Sequence, residues 1–151
     1  MSEVIITGKV NWARVREDQV DQYGKLSVDF YPQDTATRKA IQGLGLKNSL
    51  KESEYGFYFK FSKKFDDQFS PGPIPVYMNG EIFNDAIGNQ STVEIVLEIY
   101  KWKERTVQKA DGPEHVPAGT GARIVSITVL KLNKYERPQA ERVRLGTELP
   151  V

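Results

Sequence analysis

Gly56–Lys64, GFYFKFSKK, alternates without interruption: Phe57, Phe59 and Phe61 fall on one side of the segment, and Tyr58, Lys60 and Ser62 on the other. Alternation of period two marks a β-strand with one face on a core. The three phenylalanines are therefore expected inward, leaving a ring beside a cation on the outer face. Residues 92–103 repeat the arrangement, with Val93, Ile95, Leu97 and Ile99 inward and Glu94, Glu98, Tyr100 and Trp102 on the other side. Val96 interrupts that polar face, which implies partial cover, and Lys101 and Lys103 interleave with the rings at its end. Aromatic rings mixed with ammonium groups on a sheet suit a single-stranded nucleic acid, whose bases stack while its phosphates meet positive charge.

Working outward from these two strands, residues 4–16 read as a long first strand. Its two alternating sets, Val4, Ile6, Val10 and Trp12 against Ile5, Ala13 and Val15, are both apolar, with Gly8 placed for a bend. Residues 17–24 are polar and read as a loop, after which Leu26, Val28 and Phe30 alternate with Ser27, Asp29 and Tyr31. Pro32 ends that strand. Asp34 or Thr35 then caps a short helix carrying Ala36, Ala40, Ile41 and Leu44 near one face, stopped by Gly43 and Gly45. A Pro- and Gly-rich loop, a short apolar run at 74–78 and a tight turn at Asn79 and Gly80 follow the phenylalanine strand. Residues 104–121 are polar and rich in Pro and Gly, and predict a long mobile loop between two strands. The last strand, 122–132, is apolar on both sides and should be doubly covered. Beyond Tyr135 core candidates run out.

The chain of 151 residues fits one domain able to bury a core without staples. It has no cysteine and a single histidine, His115, so disulfide frameworks and cysteine or polyhistidine metal sites are excluded. No basic leader with an apolar run stands at the start and no segment reaches the length of a membrane span, which leads to the expectation of a soluble intracellular protein. The net charge of +1 conceals a pattern: residues 35–65 carry +5, residues 66–100 carry −6 and residues 101–109 carry +3. The positive segments hold the ring-lysine strands.

Strands with one short helix and long loops predict an all-β fold, a five-stranded oligonucleotide-binding (OB) barrel with one inserted helix, in which ligand crosses the second and third strands between the loops 17–24 and 104–121. The domain is expected over 1–135 and a flexible tail over 136–151. Candidates for stacking are Trp12, Tyr31, Tyr58, Tyr100 and Trp102; candidates for phosphate contacts are Lys60, Lys63, Lys64, Lys101, Lys103, Arg105 and Arg123. The competing reading, in which the rings finish the barrel core, stays open for Trp12, Tyr58, Tyr100 and Trp102. Catalytic arrangements are weaker: Asp66, Asp67, Asp85 and Glu94 lack the spacing of a carboxylate metal site, His115 has no nucleophile elbow, and Gly119–Thr120–Gly121 lacks the lysine of a phosphate loop. No enzyme, cofactor or metal is expected.

The ordered pieces TGKVNWARV, a Tyr-Pro before the helix, GLGLK, GFYFKFSKK, NGEIFNDAIGNQS, IYKW and GTGARIVSITVLKLNKYE resemble the single-stranded DNA-binding proteins of tailed bacteriophages over residues 6–136. The resemblance implies an OB-fold protein that coats and protects single-stranded DNA during phage replication, recombination and repair, in the cytoplasm of the infected host. It also implies contact with replication or recombination proteins, and a homo-oligomer is compatible with it. Phage members often carry an acidic C-terminal tail; here Glu136, Glu141 and Glu148 are balanced by Arg137, Arg142 and Arg144. An adaptor barrel, using the same aromatic face for protein contact, is the alternative.

Overall fold

In the computed structural model, residues 2–68 and 71–133 are described. The strands in chain order are β1 (Ser2–Arg14), β2 (Lys25–Pro32), β3 (Lys51–Ser53), β4 (Gly56–Lys64), β5 (Val76–Met78), β6 (Glu81–Ile82), β7 (Ser91–Trp102), β8 (Arg105–Lys109), β9 (Gly112–Val116) and β10 (Gly119–Lys131), and one helix, α1 (Thr35–Gly43), follows β2. Eight strands form one sheet in the order β3-β4-β2-β1-β7-β10-β5-β6, and β8 and β9 make a separate hairpin. The fold is all-β and OB-like: β1, β2 and β4 form an antiparallel meander, while β7 returns to the other edge of β1.

A closed five-stranded barrel is not what the hydrogen bonds describe. β4 and β10 approach each other without a ladder, so the sheet is open. One reason is that β10 pairs on its far side with β5, Ile127 opposite Val76, through Val129 opposite Met78. That pairing occupies part of the edge that closure would need.

The core collects the inward set from every long strand: Val10, Leu26, Val28, Phe30, Phe59, Phe61, Val93, Ile95, Leu97, Ile124 and Ile127. Gly8 is pressed so closely against the Tyr31 carbonyl and the Phe30 ring that any Cβ there would collide with them. Its role is close approach of β1 to β2 across the core aromatic. α1 starts where Asp34 accepts the Thr37 N–H at 2.7 Å and buries Ile41 against the core. No helix among the described residues is long and apolar enough to cross a membrane.

Three local expectations are corrected. The register of β1 slips between Asn11 and Arg14: Asn11, opposite Asp29, is fully buried under Gln90, while Trp12, at a φ of 50°, turns out. A bulge reverses the parity of every residue after it. Residues 104–121 are not a structureless loop. β8 and β9 pair from Arg105 opposite Val116 to Lys109 opposite Gly112, and β10 begins at Gly119. The polar composition disguised this hairpin, across which Lys109 and Glu114 form an ion pair. Phe57 shares the face of Phe59 and Phe61 but is 43% exposed. It stands at the start of β4, paired with the short β3 beyond the core, with the Arg38 guanidinium 4.9 Å from its ring centre.

Candidate nucleic-acid interface

The register of β2 with β4 sets the outer face in rows: Lys25 opposite Lys64, Ser27 opposite Ser62, and Asp29 opposite Lys60. Tyr31 and Tyr58 come next, with ring centroids 5.2 Å apart. Parity explains the set, since Leu26, Val28 and Phe30 between these residues are fully buried. Lys51 lies opposite Tyr58 on β3. The face thus passes from rings, through a carboxylate-ammonium row and hydroxyls, to two ammonium groups. Lys25 and Lys64 sit directly across the ladder, and among the described residues neither has an ion-pair partner. Like charges in that position repel, and an anion between them relieves the repulsion.

The approach to β2 is ordered by Asp21, whose carboxylate accepts the N–H groups of Tyr23 at 2.8 Å and Lys25 at 2.9 Å. The bond from Lys25 holds this carboxyl below its ordinary range.

At the far end of the groove, the glycines that open β10 have a definite purpose. A Cβ on Gly119 would strike the Trp102 indole, and one on Gly121 would lie 2.7 Å from Tyr100 Cζ. Both rings therefore lie on glycine backbone, with centroids 5.8 Å apart. Trp102 Nε1 donates to the Pro117 carbonyl at 3.0 Å, and Lys47 Nζ stands 5.3 Å from the indole centre. The segment carrying Lys47 ties the two ends together. Its backbone N–H donates to the Thr120 carbonyl, and Asn48 Nδ2 donates to the Lys60 carbonyl at 2.6 Å.

Two cavities follow this surface. One of about 320 Å³ is lined by Lys25, Ser27, Lys47, Lys51, Lys60 and Ser62 among others. The other, of about 670 Å³, is bordered by Lys25, Ser62, Lys64, Tyr100, Arg105 and Arg123 among others. Lys25 and Ser62 border both, so the groove is continuous from Lys60 to Tyr100.

Of the expected site residues, Lys60, Lys64, Tyr100 and Arg105 line this groove, while Tyr58 and Trp102 line neither cavity and stand at its margin, Tyr58 next to Lys60 on the outer face of β4 and Trp102 with its ring 5.8 Å from that of Tyr100. Lys101 and Lys103 are exposed, but Lys101 has the opposite parity to Tyr100 and Trp102. Trp12 is 62% exposed on β1 and lines neither cavity. Three candidates are not free surface. Tyr31 keeps only 7% exposure, because Tyr55 and Tyr58 pack on its ring while its hydroxyl bonds Ser53 Oγ at 2.8 Å. Lys63 is 3% exposed and donates to the Gly72 carbonyl at 2.6 Å. Burial lowers its ammonium pKa, against the opposing pull of Asp67. Arg123 is held by Asp67 at 3.0 Å and Glu98 at 3.6 Å, and its guanidinium lies 4.8 Å from the Tyr100 ring centre.

The burial of Lys63 is readable from sequence, because the alternation of Phe57, Phe59 and Phe61 continues to it. Lys25, Lys47 and Lys51 escape a reading of the sequence as site residues. Only the strand register and the path of the connecting segment place them on this surface.

The carboxylates that a metal would need are engaged elsewhere or stand apart: Asp67 pairs with Arg123, and Asp85 accepts its neighbour Ala86 N–H. Among the described residues no group of three His, Cys, Asp or Glu side chains is placed to hold a metal ion.

No family model matches the chain, and no curated protein matches it in sequence. Solved structures do match in fold. The single-stranded DNA-binding protein gp2.5 encoded by bacteriophage T7 superposes with a TM-score of 0.55 at 12% identity, over 95% of this chain and 99% of that one. The single-stranded DNA-binding protein from bacteriophage Enc34 gives 0.53 at 11% identity, over 92% and 87%. Its C-terminally truncated form gives 0.51 at 14% identity, over 87% and 86%. The chain shares its fold with these phage single-stranded DNA-binding proteins.

Proposed function

We propose that this chain, having the fold of phage single-stranded DNA-binding proteins, is itself a non-catalytic protein that binds single-stranded DNA with little sequence preference. The observation that carries the reading is the Lys25–Lys64 row, without an ion pair among the described residues, on a face that leads along β4 to Tyr58 in one direction and through the larger cavity to Tyr100, with Trp102 beside it, in the other. Phosphates are attracted to Lys25, Lys47, Lys51, Lys60, Lys64 and Arg105, while bases stack on the rings. A duplex keeps its bases stacked inside and presents no ring-to-ring contact of this kind.

In this reading residues 1–135 form the binding unit and 136–151 a tail, which lies outside the described residues. The protein coats and protects single strands during phage replication, recombination and repair, in the cytoplasm of an infected bacterium. Replication or recombination proteins, and further copies of the chain, are the partners this role calls for.

The test is tryptophan fluorescence titrated with single-stranded and with duplex DNA at two salt concentrations. Trp102 at the groove margin should be quenched by single strands, little by duplex, and less at high salt. A flat trace together with no shift of a labelled oligonucleotide would sink the proposal in favour of an adaptor role for the aromatic face.

A further inference from the structure

Asp29 is the one acid among the rows that face outward from β2 and β4. It stands between Ser27 and Tyr31 along β2 and opposite Lys60 across the ladder. It is half-buried, and desolvation raises its pKa against the opposing pull of Lys60 and Lys51. Among the described residues no donor bonds its carboxylate and no cation stands within ion-pair distance. Asn11 faces it across the β1–β2 ladder but turns its Oδ1 to Gln90, accepting from that residue's backbone N–H at 2.9 Å and its Nε2 at 2.7 Å. A carboxylate on this face, opposite Lys60 and beside the smaller cavity without lining it, repels the backbone of the ligand and carries a desolvation cost that the pull of Lys60 and Lys51 offsets only in part. What it lacks is a hydrogen-bond donor, and the bases that would stack beside it on Tyr58 carry such donors.

We infer that Asp29 is a base-reading point, which accepts a hydrogen bond from the exocyclic amino group of a base stacked at Tyr58 and so favours cytosine over thymine at that position. This inference rests on the single-stranded DNA reading above. An ionised carboxylate is acceptor-only. The cytosine edge offers the N4 amino group as a donor, whereas thymine presents the O4 carbonyl in its place. The thymine N3–H lies between two carbonyl oxygens, both of which a carboxylate repels. Unstacked single-stranded bases expose this edge to side chains. The groove as a whole remains tolerant, because one position of preference is added to stacking and phosphate contacts that ignore base identity.

The experiment measures affinity for oligo(dC) and oligo(dT) of equal length, at fixed salt and neutral pH, with the parent protein, Asp29→Ala and Asp29→Asn, each verified as folded by circular dichroism. The parent should bind oligo(dC) more tightly relative to oligo(dT) than Asp29→Ala does. The ratio should differ by about tenfold, the worth of one hydrogen bond to a charged group. Asp29→Asn supplies an amide N–H to the thymine carbonyl, and should also lower the ratio by strengthening oligo(dT). Loss of the acidic charge strengthens both ligands through their phosphates, so the ratio, not either affinity alone, is the readout. A ratio equal in all three proteins, with both ligands bound, would overturn the inference and leave Asp29 as a repelling charge. Failure of the parent to bind either oligonucleotide would instead overturn the single-stranded DNA reading, and this inference with it.

Discussion

Lys60 and Lys63 lie three residues apart on one strand and have opposite fates. Lys60 points out over the groove beside Tyr58, and Lys63 points in, with its ammonium on the Gly72 carbonyl. The same split separates Lys64 from Arg123, both of which border the larger cavity: Lys64 has no ion pair among the described residues, and Arg123 is locked to Asp67 and Glu98. Charge counted along a sequence cannot tell these roles apart, whereas strand parity and pairing can. Lys63 on the core side and Arg123 on the outer face, over the Tyr100 ring, both stand where β4 and β10 meet without a ladder, and there each ties its strand to the loop after β4, through Gly72 and Asp67.

The largest effect that tests this division is on stability. Arg123→Ala takes the guanidinium away from both Asp67 and Glu98 at a site with little solvent, where the Arg123, Asp67 and Glu98 side chains are 12%, 16% and 23% exposed. It should lower unfolding stability by about 3 kcal/mol in urea denaturation, since breaking a largely buried ion pair by removing one side of it is strongly destabilising. If Arg123→Ala unfolds like the parent, the cation does not fasten the seam between β4 and β10.

A smaller effect separates the two stacked tyrosines. Tyr58→Ala removes an accessible ring and should weaken single-stranded DNA binding by about 1 to 3 kcal/mol with little change in melting temperature. Tyr31→Phe removes the hydroxyl that meets Ser53 and should reduce stability by about 1 kcal/mol while affinity holds. The reverse pattern, weaker affinity with Tyr31→Phe and unchanged affinity with Tyr58→Ala, would show that the ring beneath is the one that meets the base.

Much of the fold is legible in the sequence because it depends on local pattern. Alternation at Phe59 and Phe61, and at Val93 to Ile99, marks the inward faces of β4 and β7, and Asp34 marks the start of α1. The glycine-led opening of β10 is visible in the sequence, and the structure supplies its reason in the two rings lying on Gly119 and Gly121. What escapes is everything decided by pairing at a distance. The bulge that turns Trp12 outward answers to Asn89, whose side chain accepts the Trp12 N–H at 2.8 Å. The β8–β9 hairpin is made of residues that propensity assigns to loops. Tyr31 has the parity of a surface residue, yet two other tyrosines cover it. The groove itself is half legible: its rings stand out in the sequence, but Lys25 and Lys47 reach it only through register and through the connection from α1 to β3, which bonds to β10 at Thr120 on its way.

The smallest expected effect is the one that addresses the outer cations directly. Lys25 and Lys64 face each other across the ladder with no acid between them, so removing either should not destabilise the folded protein and should relieve a repulsion of a few tenths of a kcal/mol. In binding the sign reverses. Removing one cation that neutralises a phosphate of a single strand lowers the slope of log affinity against log salt by about 0.7, so Lys64→Ala should flatten that slope by this amount. Lys63→Met, whose stem keeps the apolar packing, should leave the slope unchanged while costing stability. The same residue type on the same strand is then distinguished by two independent readouts of opposite pattern. Equal slopes for Lys64→Ala and Lys63→Met would mean that phosphates do not follow the Lys25–Lys64 row, and the path of the strand across β2 and β4 would have to be drawn elsewhere.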